Sequence, residues 1–163
     1  MFSKKLIGKR TYNKYTYNFM SFVFEYEEGI LNLNPVYQRD DIWDHEDKEK
    51  LLDSVFADVP IGVITRSKTI NQKKEDSSLN IIDGKQRLRT LIDYVHDKWS
   101  YKGFKFSELE DEDQRHINNL SLPLIEINNP TLQEEIQVFI KLNTHGKLMS
   151  DEYIERAKEL LKD

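Results

Sequence analysis

The chain has 163 residues, 38% of them hydrophobic and 11% aromatic, which is enough for the core of one ordinary domain, and a third are charged, as a solvated surface requires. A net charge of −5 argues against a whole-surface nucleic-acid footprint, because phosphate neutralisation needs a local excess of Lys and Arg. The absence of cysteine excludes disulfides, thiolate catalysis and cysteine-ligated zinc, and no apolar run approaches the ~18 residues of a membrane span, so a cytoplasmic protein without membrane partners is expected.

The first segment, about 1–14, is polar and basic, with Lys4, Lys5, Lys9, Arg10 and Lys14 near Tyr12, Tyr15 and Tyr17. It reads as an arm or edge strand; basic and aromatic side chains together can also contact nucleic acid. Phe19, Phe22, Val23 and Tyr26 fall at i, i+3, i+4 and i+7 with Gly29 behind them, which predicts a helix, although such residues also suit a strand. This places an arm and helix at 1–29, ahead of a domain at 30–163, in a single-domain chain.

Ile30 to Leu33 reads as a strand ended by Asn34-Pro35. A loop follows with Tyr37-Gln38-Arg39 and Trp43. Asp44, Glu46 and Asp47 then open a helix whose apolar face is Leu51, Leu52, Val55 and Phe56. Ile61 to Thr65 reads as a buried strand, 71–78 as a polar hairpin loop and Leu79 to Asp83 as another strand. Leu88, Leu91, Ile92 and Val95 form the cleanest helical pattern in the chain. A short strand at Tyr101–Phe106, a polar helix around 107–119 and a strand at Leu122–Ile127 are expected next. Thr131 or Asn129 can cap a helix with Leu132, Ile136, Phe139 and Ile140 inward, broken at Asn143-Thr144-His145-Gly146; a last helix covers about 150–162. Short strands alternating with helices predict an α+β fold, a small mixed sheet with helices packed against it.

One stretch concentrates the chemistry: IIDGKQRLRTL (81–91), where a strand hands over to a helix. A helix N-terminus presents unpaired N–H groups and partial positive charge, a ready anion site. Gly84 allows a sharp turn and close backbone approach, Arg87 can grip a phosphate bidentately, and Lys85 adds a point charge. Asp83 can hold Mg²⁺ or orient water, and Gln86 offers donors and an acceptor. From spacing alone, the plainer reading is a DG turn followed by good helix formers. No Walker loop occurs.

Elsewhere the plain readings also lead. Asp40-Asp41 and Asp44 to Asp47 can bind a metal but suit a helix start and solvated face better, as do the acids of Glu108 to Asp113. Tyr37-Gln38-Arg39 with Trp43 can stack a base and hold phosphate, or simply pin a loop. The four histidines, His45, His96, His116 and His145, form no H-N-H constellation.

Three blocks in order carry a family resemblance: NPVYQRDDIWDHEDKEKLLDSVFADVPIG (34–62), IIDGKQRLRTL (81–91) and FIKLNTHGKLMSDEYIERAK (139–158). The second is similar to an I-D-G-Q-Q-R-L-T-T-L signature, with Lys85 where the first Gln usually stands. The chain resembles the N-terminal domain of GmrSD-type modification-dependent restriction systems, over about residues 30–160. The resemblance implies a ParB/sulfiredoxin-like fold and a nucleoside-triphosphate site with Mg²⁺. It also implies NTP hydrolysis in several members, serving a separate nuclease module. Asp83, Gln86 and Arg87 would then be catalytic, with Asp83 also the metal ligand. Gln38, Arg39, Gly84, Lys85 and Asn143 would bind the nucleotide. Family members continue into a helical region and often an HNH nuclease, so the chain reads either as a minimal form lacking that part, bacterial or phage-borne, or as a piece of a longer protein. The departure at Lys85 bears on hydrolysis more than on binding. Two rival readings stand beside it: a non-catalytic protein-interaction module, such as a phage-encoded inhibitor of a host system, and a ParB-like DNA-nicking nuclease, which the acidic balance disfavours.

Overall fold

A computed structural model describes residues 12–71, 76–144 and 151–162. Among them, β1 (Tyr12–Asn18), β2 (Leu31–Asn32), β3 (Ile64–Asn71), β4 (Asp76–Asp83) and β5 (Ser121–Asn128) form one mixed sheet in the order β1-β5-β3-β4-β2. The β1/β5 and β3/β4 pairs are antiparallel; β3/β5 and β2/β4 are parallel. The helices are α1 (Phe19–Glu27), α2 (His45–Phe56), α3 (Lys85–Val95), α4 (Asp111–Asn118), α5 (Leu132–Thr144) and α6 (Asp151–Glu159). The architecture is α+β, as the alternation of short strands and helices predicts. None of the described helices is long and apolar enough to cross a membrane.

The period-two alternation of strand side chains gives the sheet two buried faces. Ile64, Leu79, Ile81, Leu122 and Leu124 join the larger core with Phe19, Phe22 and Val23 of α1, Leu52 and Val55 of α2, Leu88, Leu91 and Ile92 of α3, and Ile117 of α4. Ile82 and Ile127 point the other way, into a smaller core with Tyr37, Ile136 and Phe139 of α5, and Ala157 of α6. Thus α1 packs into the main core.

Local signals set most boundaries. Asn18 ends β1 and caps α1, its side chain accepting from the Met20 N–H at 2.8 Å. Asp44 and Asp47 form a reciprocal capping box on α2, so these acids work as helix-start residues. Thr131 and Glu134 make the same exchange ahead of α5.

Several expectations are corrected. β3 begins at Ile64, because Gly62 (φ +94°) turns the chain before it. The ladder of β3 and β4 extends through Asn71 and Asp76, so the ends of the polar 71–78 segment are strand, while 72–75 lie outside the described residues; at those ends backbone pairing continues beyond the apolar core. Tyr101 and Phe104 make one antiparallel bridge around Lys102 (φ +48°) and Gly103 (φ +87°), and a 3-10 turn at Phe106–Glu108 replaces the expected strand end. Leu132 is exposed and Val138 takes an inward position, since the inward stripe of α5 begins one turn later. Lys4 to Arg10 of the basic arm, and the helix break at His145-Gly146, lie outside the described residues.

Candidate functional site

β4 delivers Ile82 and Asp83 to the turn that starts α3. Gly84 is the N-cap of α3 in the left-handed region (φ +97°), a conformation that favours glycine, and a Cβ there would collide with the Ile64 side chain. Packing alone therefore explains this glycine.

Arg87 lies back along the turn. Its Nη1 donates to the Ile61 carbonyl at 2.8 Å and its Nη2 to Asp83 Oδ2 at 3.1 Å. It fills the space beside Gly62, where a Cβ would sit 2.6 Å from Nη1. Lys85 is buried; its ammonium donates to the Arg39 carbonyl and lies 3.4 Å from Asp41 Oδ1. Gln86 fastens the loop above it. Its oxygen accepts from the Ile42 and Trp43 N–H groups (3.2 and 3.3 Å), and its amide donates to the Asp40 carbonyl (3.3 Å) and the Asp41 carboxylate (3.2 Å). Gln38 donates to the Ile81 and Ile82 carbonyls at 2.8 and 2.9 Å. Asn143, on the last turn of α5, donates to the Phe139 carbonyl at 2.7 Å.

These residues surround one cavity of about 440 Å³, within the usual range of small-ligand clefts, roughly 300–1,000 Å³. Gln38, Arg39, Asp83, Gly84, Lys85, Gln86, Arg87 and Asn143, all eight residues singled out in sequence, line it; Ile42, Trp43, Ile82, Phe139 and Asp47 complete the lining. Trp43 serves both surfaces, packing on the main core and facing the cavity. A larger groove of about 670 Å³ runs between α2, α4 and β5, but its histidine, His116, is tied to the Val55 carbonyl at 2.9 Å and stacked on Phe56. The smaller cavity is the better candidate because charged and amide side chains from three separate stretches converge on it.

The lining carries Arg39, Lys85 and Arg87 against Asp47 and Asp83, a slight positive excess. Asp83 is 40% exposed and pairs with Arg87 through one oxygen. Among the described residues no group of three or more His, Asp or Glu side chains could hold a metal ion. The carboxylates of the lining are Asp83 and Asp47, and Mg²⁺ takes one or two carboxylates beside phosphate oxygens and waters. Asp41, which contacts Lys85 and Gln86 and lies 3.7 Å from Arg89 Nε, was legible only as one of several loop acids. His45, His96 and His116 lie away from this cavity, and His145 is outside the described residues.

The site is thus a cleft with polar side chains and an apolar wall at a strand-to-helix turn of an α+β domain. The chain belongs to the family described as GmrSD restriction endonuclease, N-terminal domain, which it matches over residues 21–158. No curated protein and no solved structure matches it.

Proposed function

We propose that this cavity binds a nucleoside triphosphate as its Mg²⁺ complex, and that the occupied domain acts in restriction-type defence through a nuclease or other protein partner. One observation carries the reading: residues 38–39, 83–87 and 143, far apart in sequence, line a single cleft. Arg39, Lys85 and Arg87 supply positive potential for the phosphates. Asp83 would hold Mg²⁺, which when bound neutralises charge on the phosphates. Trp43, Ile42 and Phe139 offer an apolar wall to the base. Gln38, Gln86 and Asn143 keep the loop and α5 in place around the ligand. For hydrolysis, Asp83, the lining carboxylate at the helix start, would orient a water. A ParB/sulfiredoxin-like ancestry is part of the same proposal.

The slight positive excess cannot balance a triphosphate by itself, so binding should require Mg²⁺. A thermal-shift series with ATP, GTP, CTP and UTP, each with and without Mg²⁺, tests this. Ligand at ~100 times its Kd stabilises by ~2.7 kcal/mol, a shift of several degrees in a domain of this size. A shift with at least one nucleotide, only with Mg²⁺, is expected; no shift with any of the four contradicts the proposal. A second reading, a binding module without hydrolysis, is favoured by the engagement of Arg87, Lys85 and Gln38 with backbone carbonyls. Phosphate release by the bound complex separates the two.

A further inference from the structure

Glu135, in the first part of α5, is 3% exposed. One carboxylate oxygen accepts from the Ser67 hydroxyl at 2.6 Å and the Asn80 amide at 3.3 Å. The other accepts from the Tyr37 hydroxyl at 2.8 Å and the same amide at 3.1 Å. None of the described residues forms an ion pair with it. Removing a carboxylate from water with neutral donors alone is costly, and only the nearby N-terminus of α5 adds a field that favours the charge. An apolar residue there would leave the Tyr37, Ser67 and Asn80 donors without their acceptor, so the carboxylate satisfies them as a set. What a carboxylate adds is direction.

Its bonds tie α5 to the sheet, through Ser67 and Asn80, and to Tyr37, which adjoins the cavity without lining it. Ser67 and Asn80 stand opposite each other on β3 and β4. Tyr37 directly precedes Gln38 and Arg39, and its ring packs on Phe139 at 5.2 Å. Phe139 and Asn143 form the α5 side of the same cavity.

We propose that Glu135 is a positioning residue: its carboxylate fixes the Tyr37 hydroxyl and thereby sets Gln38 and Arg39 against Phe139 and Asn143. The proposal rests on the nucleotide reading only for the ligand's identity, because the positioning is a property of the ligand-free chain.

The test uses the full chain and the variants Glu135→Gln, Tyr37→Phe, their double and Ser67→Ala. Amide hydrogen exchange is read without ligand, and Mg²⁺–nucleotide affinity is read beside it. Glu135→Gln and Tyr37→Phe should each speed exchange at Gln38, Ile42 and Trp43 about tenfold, the change expected from losing ~1.4 kcal/mol of local bonding. The α3 core amides should keep their protection, showing that the variants fold. The double variant should be no faster than either single one, and Ser67→Ala, which cuts only the sheet arm, should leave the loop amides near wild type. Affinity should fall by a similar factor in the first three variants. Unchanged loop exchange in Glu135→Gln, or effects that simply multiply in the double variant, would overturn the proposal. If no nucleotide binds at all, the function reading fails while the exchange data still decide the role of Glu135.

Discussion

The two faces of the sheet each bury a polar cluster, and the clusters are built on opposite principles. On the α1 face, Arg66 bridges two carboxylates. It bonds Glu126 through Nε and Nη2 at 2.8 Å and Glu25 through Nη1 at 2.7 Å, with its guanidinium 4.7 Å from the Tyr17 ring centroid. Tyr15 and Tyr17 donate to the same two carboxylates. Burial works against the Arg66 charge, but the Glu25 and Glu126 carboxylates outweigh it and hold the guanidinium above its usual value. On the α5 face, Glu135 is satisfied by Tyr37, Ser67 and Asn80 with no cation. The first cluster joins β1 and α1 to the sheet away from the cavity and is chiefly a stability device. The second ties a site loop to a site helix, and what it controls is geometry.

Breaking the ionic cluster should have the largest effect. Arg66→Met leaves two buried carboxylates without a cation and should cost about 3–5 kcal/mol, read as a large fall in Tm. Alkali comes next, because it strikes both faces together. Tyr37 is held well above its usual value by burial and by the Glu135 charge, and burial pushes Tyr94 up to about 12. A pKa raised in the folded state stabilises fully below the unfolded value near 10 and is lost as pH rises through the folded one. Thermal stability should therefore fall from about pH 10 for both tyrosines, the Tyr94 contribution being spent near pH 12 while the Tyr37 contribution goes on falling beyond it. A flat profile from pH 9 to 12 would contradict this. Gly84→Ala, strained by positive φ and by contact with Ile64, should destabilise by about 1–3 kcal/mol in a denaturant titration. Tyr37→Phe should cost only about 1 kcal/mol of global stability while loosening the site loop, which is the contrast with Arg66 in its sharpest form. The exposed Lys50–Glu46 pair belongs to neither cluster, and Lys50→Ala should leave Tm within error.

Much of the frame was readable from spacing. Phe19, Phe22 and Val23 announced α1, and Leu88, Leu91 and Ile92 announced α3, because a helix that buries one face must repeat at 3.6 residues. The outer ends of β3 and β4 were hidden because strands held by backbone pairing need no apolar residues there. Tyr101 to Phe106 misled because aromatic residues packing on a core resemble a strand whatever their backbone does. At the site, the three blocks named the lining residues. They did not reveal that Gln38, Lys85 and Arg87 bond to backbone carbonyls, since those carbonyls belong to distant segments. Glu135 was invisible for a similar reason: an acid in a helix's first turn reads as a partner of the dipole, and only the fold sets Tyr37, Ser67 and Asn80 around it.

The central claim is that residues 38–39, 83–87 and 143 bind a Mg²⁺–nucleotide. Its most direct test is calorimetric titration of the full chain with the nucleotide giving the largest thermal shift, with Mg²⁺, beside Arg39→Ala and Lys50→Ala. The account predicts one site per chain, affinity at least about tenfold weaker in Arg39→Ala as expected for a lost charge-assisted phosphate contact, and no change in Lys50→Ala. Equal affinity in the wild type and Arg39→Ala would place the ligand elsewhere and contradict it.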